Sequence, residues 1–311
     1  MDDYIGRRGL IEPAHLKSMT RRSDARGLIQ LVSHLGAITV TGVALAYTWG
    51  TLWAVPVFVL HGMLLNYLYA GQHECSHWTA FKSRWLNDAV GRVFGFVTFY
   101  PRDDDRWYHF THHRHTQDPG KDPEIDRRKI VTLASFLISL SGVTYWKAMF
   151  VNMVTHAQGK RWEDYLTSDQ RRAVAAEARW HSAAYGAIAA VSVALGTWVV
   201  VIFWVGPVLL TKWTHQTQNL IEHTGLTHDP DTLANTRTIT TIALPRWLTW
   251  NMVYHSAHHT FPGVPFHALP TLHRAIVDKI GHEPPSSGYL AFNWRMVRAL
   301  AAGKTPAEAF A

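Results

Sequence analysis

The feature that most constrains the fold is a long stretch, Gly27 to His73, that contains no Asp, Glu, Lys or Arg. A helix needs about 20 apolar residues to cross a bilayer, so this stretch can hold two membrane spans. We expect these spans at 28–47 and 53–72. A second charge-free stretch, 180–211, predicts a second hairpin with spans at 181–196 and 198–217.

Two further segments are expected to lie beside the membrane. Residues Ile130–Trp146 carry no charge but are short and rich in serine, which predicts an interfacial or re-entrant segment rather than a span. Residues Gln158–Arg179 are polar and charged. We interpret them as a cytoplasmic amphipathic helix that leads into the second hairpin.

The positions of the basic residues predict the orientation in the membrane. Short cytoplasmic loops are enriched in Lys and Arg, and the two proposed hairpin turns contain neither. Both hairpins therefore enter from the cytoplasmic side of what we expect to be a bacterial inner membrane, with both termini cytoplasmic. The basic residues behind this inference precede the first span or lie between the hairpins: Arg7, Arg8, Lys17, Arg21, Arg22, Arg26, Lys82, Arg84, Lys121, Arg127, Arg128, Lys160 and Arg161.

The first 26 residues contain no apolar segment ahead of a cleavage site, so we expect the first span, and not a cleaved signal peptide, to direct insertion. The net charge of +7 fits a basic face that meets anionic lipid headgroups or an acidic electron carrier. Nucleic acid is the less favoured partner, because the basic residues are scattered and match no nucleic-acid-binding module.

Nine of the 20 histidines form three tight clusters and one singleton. Residues three and four apart share a helix face, so each cluster can direct its imidazoles to one side. Imidazole binds iron, copper, nickel or zinc, and one zinc rarely takes more than four protein ligands, so nine histidines favour a site for two metals. The nine are His73 and His77, then His109, His112 and His113, then His223, and then His255, His258 and His259.

The first cluster, His73-Glu74-Cys75-Ser76-His77, also has the HExxH pattern of zinc proteases, in which the glutamate is the general base. A protease would leave most of the clustered histidines without a role, so it is the remote alternative. Cys75 is the single cysteine, which excludes an intrachain disulfide and a multi-cysteine metal site. We expect it to be a small buried residue.

The second and third clusters share the spacing HxxHH, and His115 falls off the face that carries the second one. Prolines after the third cluster are expected to end its helix. Metal-bound histidines usually donate their second N–H to a carboxylate or carbonyl. Six acidic residues near the second cluster could accept it: Asp103, Asp104, Asp105, Asp118, Asp122 and Glu124.

Together these motifs resemble the membrane-bound, histidine-box di-iron fatty acid desaturases and hydroxylases, over roughly residues 27–275. The resemblance includes the order of the boxes at 73–77, 109–113 and 255–259, the element Asn219-x-x-x-His223, and the Phe-Pro-Gly-Val-Pro-Phe-His segment after the third box. It implies that all nine clustered histidines bind two irons. It also implies that Asn219 contacts one iron through water.

The resemblance implies one all-α integral membrane domain, 1–311, of two transmembrane hairpins with a cytoplasmic helical cap. The cap, 73–180 and 218–311, would carry the di-metal site. The implied reaction is O2-dependent desaturation of a fatty acyl or similar aliphatic chain. The three-residue spacing within the first box is like that of bacterial desaturases and alkane hydroxylases, and the second box favours desaturation.

Several alternatives stay open from the sequence. They are a hydroxylase or ketolase of an alkane, carotenoid or lipid on the same scaffold, a desaturase of a small specialised metabolite, the HExxH protease, and a metal-binding membrane protein without catalysis. No haem-binding His-Pro-Gly-Gly segment is present. We therefore expect the two electrons to come from a separate ferredoxin, rubredoxin or cytochrome and its reductase.

Aromatic residues are abundant, with 14 Trp, 13 Phe and 11 Tyr, and they fit both an apolar substrate tunnel and belts at the bilayer interface. Trp49, Trp53, Trp198 and Trp204 are assigned to a belt or to packing. The four that lie beside histidine boxes, either in the substrate pocket or in the core, are Trp107, Tyr108, Trp250 and Tyr254.

Overall fold

A computed structural model describes residues 9–127, 129–160 and 162–310 of the chain. Four arginines used to infer the orientation, Arg7, Arg8, Arg128 and Arg161, lie outside the described residues. Within these ranges the protein is mostly helical and contains almost no strand, which agrees with the predicted all-α class. The strands are β1 (Thr238–Ile239) and β2 (Ser286–Ser287), which pair in parallel.

The first half of the chain forms ten α-helices. They are α1 (Pro13–Met19), α2 (Asp24–Thr48), α3 (Ala54–Asn66), α4 (Leu68–Ser76), α5 (Arg84–Val97), α6 (Arg102–His115), α7 (Pro123–Arg127), α8 (Leu133–Ser141), α9 (Val143–Ala157) and α10 (Ser168–Ala194).

The second half begins with a π-helical turn, Val201–Val205, and also contains two short 3-10 turns, Phe266–Ala268 and Ala307–Ala309. Its α-helices are α11 (Gly206–Leu210), α12 (Lys212–His223), α13 (Thr232–Asn235), α14 (Ala243–Leu248), α15 (His255–Thr260), α16 (Leu269–Ile280) and α17 (Tyr289–Ala301).

Two helices are long and apolar enough to cross a membrane, α2 and the continuous run Ala54–Ser76 formed by α3 and α4. They correspond to the spans predicted at 28–47 and 53–72. The turn between them contains Gly50 with a φ of +86°, a backbone conformation that glycine adopts without strain. Exposed apolar side chains on α2, among them Ile29, Val32 and Val40, are consistent with a lipid-facing surface.

The segment predicted to be interfacial or re-entrant, Ile130–Trp146, lies in a bent helix pair. Helices α8 and α9 meet at an angle of 58° around Gly142, whose φ is +81°. By length and composition the pair is either one broken span or a re-entrant loop. The described residues therefore contain two candidate spans, or three if this pair is one of them.

The second predicted hairpin has a different form from the first. The first limb is the apolar end of α10, a helix that already begins in polar sequence at Ser168. The second limb, 198–217, is divided among the π-helical turn, α11 and α12. Neither limb is among the candidate spans of the described residues. The predicted turn is present, since α10 ends at Ala194 and Gly196 has a φ of +60°. A helix is expected over 158–179, but in the structure α10 begins at Ser168 and covers only the later part of that segment.

Close packing joins the first hairpin to α11 and α12. The Asn66 amide donates hydrogen bonds to the Val208 carbonyl (3.0 Å) and to Thr211 Oγ1 (3.1 Å). At Gly62 an added Cβ would lie 2.5 Å from Thr211 Oγ1, so only glycine lets these helices approach so closely. This contact fixes α12, which carries His223, against the helices that lead to the first histidine cluster.

A partly buried ion network joins α5, α6 and α10. Arg92 binds Asp103 and Glu177, both at 3.0 Å, and Arg102 pairs with Asp103 at 3.0 Å and with Asp88. Because the partners come from three helices, the network fixes the start of α6 and so the position of the second cluster.

Candidate metal centre

The first cluster lies where the second candidate span ends. His73 is on the last turns of α4, and His77 is its C-cap residue. The next residue, Trp78, has a φ of +55°, an uncommon conformation for a bulky side chain. Its ring stacks beneath the guanidinium groups of Arg84 (3.9 Å) and Arg106 (3.4 Å). These stacks hold the chain in the turn that ends the helix.

The second cluster occupies the last two turns of α6. The chain then turns at Gln117, whose φ is +64°. The Gln117 amide N–H donates to Asp122 Oδ2 (2.8 Å), and its side-chain Nε2 donates to the His223 carbonyl (2.9 Å). The turn therefore connects the second cluster to the singleton on α12.

The third cluster is on the short helix α15, which ends at Thr260 before Pro262, as predicted. Two residues with positive φ, Trp250 (+52°) and Asn251 (+60°), precede it. The backbone N–H of Phe266, in the segment that follows the cluster, donates to Glu74 Oε2 (3.0 Å). This bond connects the first box to the tail of the third.

All nine clustered histidines converge into two adjacent groups of buried rings. One group contains His73, His77, His109, His113 and His258, whose ring nitrogens lie within 4.8 Å of one another. The other contains His112, His223 and His259. His255 adjoins the second group, with its Nε2 3.1 Å from that of His223.

The distances between ring nitrogens match what shared metal ions require. His109 Nε2 lies 2.8 Å from His77 Nε2 and from His113 Nε2, and His113 Nε2 lies 3.1 Å from His258 Nε2. Metal–imidazole bonds are about 2.0–2.1 Å long, so two ligands at right angles on one ion have donor atoms about 3 Å apart. The donor atoms therefore already have the spacing of a coordination shell.

In the second group the other ring nitrogen, Nδ1, faces a protein oxygen. His112 Nδ1 lies 2.9 and 3.0 Å from the two carboxylate oxygens of Asp122. His223 Nδ1 is 3.1 Å from the Asn235 carbonyl, and His259 Nδ1 is 3.1 Å from Thr116 Oγ1. Such contacts place the proton on Nδ1 and leave Nε2 as the lone-pair donor.

Burial keeps these histidines in the neutral form that binds metal. Loss of solvent, followed by the neighbouring imidazoles, lowers the pKa of His77, His109, His113, His258 and His259 well below the ordinary value. The same causes lower the pKa of His223 to about 4. Neutral imidazole is the ligand form, so these six histidines need no deprotonation to bind metal at neutral pH.

His73 provides a direct test of whether a metal fits. It is 4% exposed, and neither of its ring nitrogens has a hydrogen-bond partner; the Nε2 atom of His259 also has none. Leaving a buried polar atom unsatisfied costs about 1–3 kcal/mol. A metal bound by these nitrogens would remove that cost, so the donor set fits a metal pair.

The structure separates the six acidic candidates near the second cluster. Asp122 contacts His112 Nδ1, and Glu124 Oε2 lies 3.8 Å from His112 Nε2. Asp118 pairs instead with Lys121 at 3.0 Å. Asp103 belongs to the ion network, Asp104 lies 3.9 Å from His156, and Asp105 accepts hydrogen bonds from Tyr69 and Gln72.

Three other residues of interest in the sequence, His115, Cys75 and Glu74, lie close to the histidine clusters along the chain. His115 is in neither histidine group, as expected, and Cys75 is fully buried in the core. The Glu74 carboxylate accepts hydrogen bonds from Thr79 Oγ1 (2.7 Å) and the Phe266 amide. Glu74 therefore connects two segments of the fold.

Two residues that contact histidine Nδ1 atoms, Asn235 and Thr116, were not among the residues predicted from the sequence. Asn235 acts through its backbone carbonyl, which every residue has, so no sequence signal could reveal it. Thr116 had a weak signal, since it lies three residues after His113 and four after His112 and so shares their helix face.

A cavity of about 560 Å³ reaches the centre from α8 and α9. Its lining includes Ala148 and Val151 of α9, His73, His109 and His255 of the histidine clusters, and Asn219 and Tyr108. Its volume lies in the range of small-molecule sites. Of the four aromatic residues beside the boxes, Tyr108 alone lines this cavity, whereas Trp250 is fully buried in the core.

A second cavity of about 260 Å³ is lined by His112 and His223, and also by His228 and the segment Thr305–Ala307. The two cavities share His112 and Glu124 in their linings. Both cavities therefore border the second histidine group.

Comparison with known proteins agrees with this architecture. The family model described as fatty acid desaturase matches residues 47–288. The sn-1 oleoyl-lipid 12-desaturase of Picosynechococcus sp. is 25% identical over 300 residues, which cover 89% of this chain and 82% of that protein. The sn-1 oleoyl-lipid 12-desaturase of Synechocystis sp. is 25% identical over 285 residues, covering 86% and 77%. Because the family match extends over most of the chain and includes all three histidine boxes, the chain belongs to the fatty acid desaturase family and is an oxidoreductase.

Proposed function

We propose that this desaturase introduces a C=C bond into the fatty acyl chain of a membrane lipid, using two irons held by the nine clustered histidines. The observation that carries the proposal is the convergence of nine buried imidazoles, eight in two adjacent groups and His255 beside them, at a cavity that several of them line. Lipid as the acyl carrier is supported by the printed names of the cyanobacterial relatives.

The irons, when bound, would supply the chemistry that couples reduction of O2 to removal of two hydrogen atoms from an unactivated chain. The protein's part is to position the substrate, because the reacting C–H bond must lie about 3–3.5 Å from the reactive atom. Side chains of the larger cavity, including Tyr108 and Val151, would hold the chain there. Asn219 lines the same cavity, which supports the proposal that it contacts one iron through water.

We further propose four spans, with the centre and both termini on the cytoplasmic side. Two spans correspond to α2 and Ala54–Ser76, and the second hairpin would be formed by the apolar end of α10 and the segment from Trp198. The two electrons for each turnover would come from a separate ferredoxin, rubredoxin or cytochrome, together with its reductase.

The test is anaerobic purification in detergent with metal analysis, combined with mass spectrometry of lipids from cells that produce the protein. The proposal predicts two irons per chain and an acyl product lighter by two hydrogens. A product that gains one oxygen would indicate a hydroxylase. One zinc per chain with unchanged lipids would refute the proposal.

A matched pair of variants tests the ligand set. His113→Ala removes a histidine of the five-membered group, whereas His115→Ala removes a histidine on the same helix that is in neither group. We expect His113→Ala to lose iron and activity and His115→Ala to keep both. Equal effects of the two substitutions would contradict the assignment.

A further inference from the structure

The second histidine group differs from the first in the number of donors it brings together. Five histidines form the first group, whereas three, with His255 beside them, form the second. Imidazole binds metal in its neutral form, so two ferrous ions held by histidines alone would place four positive charges in a buried site. Buried charge is costly unless an opposite charge or a ligand compensates it.

Three carboxylates lie close to the histidines of the second group, and two of them approach from the side away from a metal. Asp122 contacts His112 Nδ1, and Glu222 Oε1 lies 3.6 Å from His255 Nδ1. Glu124 is different, since its Oε2 lies 3.8 Å from His112 Nε2. With Nδ1 of His112 held by Asp122, Nε2 is the nitrogen that would face the metal.

The position of Glu124 is fixed by its neighbours in the chain. Asp122 accepts hydrogen bonds from the Glu124 amide (2.9 Å) and the Gln117 amide (2.8 Å) while it contacts His112. Pro123 between them begins α7, and proline restricts the backbone at this position. The same carboxylate that orients His112 therefore also sets the direction of Glu124.

The Glu124 side chain is mostly buried, with 14% of it exposed. Glu124 lines both cavities. Its carboxylate interacts electrostatically with His73 of the first group and with His223 of the second. Donor atoms that bind one iron are separated by about 3 Å when adjacent and about 4 Å when opposite, given bonds of about 2.1 Å. The distance of 3.8 Å from Glu124 Oε2 to His112 Nε2 lies within that range. Glu124 is not one of the residues whose donor atoms lie within 4.8 Å of one another in the second group, so binding would require its side chain to move towards His223 and His259.

We propose that Glu124 is a carboxylate ligand of the metal held by His112, His223 and His259, and thus a tenth protein ligand of the centre. This inference rests on the proposed di-iron function. The carboxylate adds one negative charge to an otherwise neutral donor set. It makes the two metal positions unlike, one bound by imidazoles and the other by imidazoles and an oxygen ligand.

The test compares the full-length wild type with variants of Glu124. Each protein is enriched in 57Fe and purified anaerobically in detergent, and its iron content and the Mössbauer spectrum of its diferrous state are measured. Glu124→Gln keeps the shape of the side chain and removes its charge. We expect iron at one position to bind about tenfold more weakly or worse, and one of the two ferrous signals to be lost or shifted. Asp118→Asn makes the same charge change on a residue that pairs with Lys121, and we expect it to match the wild type.

A second variant keeps the inference testable if Glu124→Gln does not fold. Glu124→His replaces one ligand with another, so we expect it to retain two irons and to shift the signal of one of them. Two irons with a wild-type spectrum in either variant would overturn the ligand role of Glu124 and leave the proposed function intact. A wild-type protein that binds no iron would overturn both.

Discussion

Asp122 should be the acidic residue on which the geometry of the centre most depends. Its two carboxylate oxygens face His112 Nδ1 and accept the backbone N–H groups of Gln117 and Glu124. Burial alone would raise the pKa of Asp122, but His112 and these hydrogen bonds hold it below the ordinary value. The carboxylate is therefore ionised at neutral pH and accepts every one of these bonds.

Asp122→Asn replaces one of the two acceptor oxygens with an N–H2 donor. At least one of the three groups that face Asp122 then meets a donor and loses its partner. A hydrogen bond to a charged group contributes about 1.5–3 kcal/mol, and partners that orient a metal-bound histidine typically change metal affinity or activity by about 10–100-fold. We expect a loss of iron affinity in this range and a folded state that is less stable by about 2 kcal/mol.

The assay measures iron retained during titration with a chelator, together with the thermal unfolding midpoint in detergent. Asp118→Asn is the control, because it makes the same chemical change four residues away, where the carboxylate pairs with Lys121 near the surface. If Asp122→Asn retained iron as well as Asp118→Asn does, the argument that Asp122 orients His112 would be refuted.

Three further predictions follow from other parts of the structure. Glu74→Gln should keep its iron and its desaturase activity. Its folded state should be less stable by about 1–3 kcal/mol, because the hydrogen bonds from Thr79 and Phe266 become weaker. A peptidase activity that is present in the wild type and lost in this variant would instead support the protease alternative. Val151→Trp should narrow the larger cavity and reduce the conversion of long acyl chains without loss of iron. Val143→Trp is the control, because Val143 is 62% exposed, and it should leave conversion unchanged. Lipid analysis measures the conversion, and metal analysis shows whether iron is retained. The metal-free protein should lose stability as the pH falls from about 6.5 towards 4, because the unfolded state takes up protons that buried His223, with its pKa of about 4, does not. This residue alone would account for about 2 kcal/mol at pH 5; an unfolding midpoint that stays constant between pH 7 and 5 would contradict this.

Much of the candidate site could be predicted from the sequence because its information is local. Histidines three and four apart share a helix face whatever surrounds them, and the spacing picked out all nine residues that the structure brings together. The first two spans were equally accessible, since length and the absence of charge are properties of a single segment.

The form of the second hairpin could not be predicted from its own residues alone. The charge-free stretch 180–211 predicts a hairpin of two spans whose ends extend into polar sequence. Helix α10 does begin in polar sequence, at Ser168, but the returning limb contains a π-helical turn and a break at Thr211. Packing against α3 decides this form, because Thr211 and Pro207 contact Gly62 there. Such contacts between segments about 140 residues apart have no signature in either segment alone.

The sequence by itself determined which residues could bind metal and which stretches could enter a membrane, because periodicity and charge act over a few turns of helix. Only the tertiary structure decided how the histidines divide into two groups, and that Asp122, rather than Asp118, orients His112. It also placed Glu124 Oε2 3.8 Å from the Nε2 atom of that ring. The reason is that these choices depend on distances of 3–4 Å between groups from different helices, which are set by the packing of the whole fold.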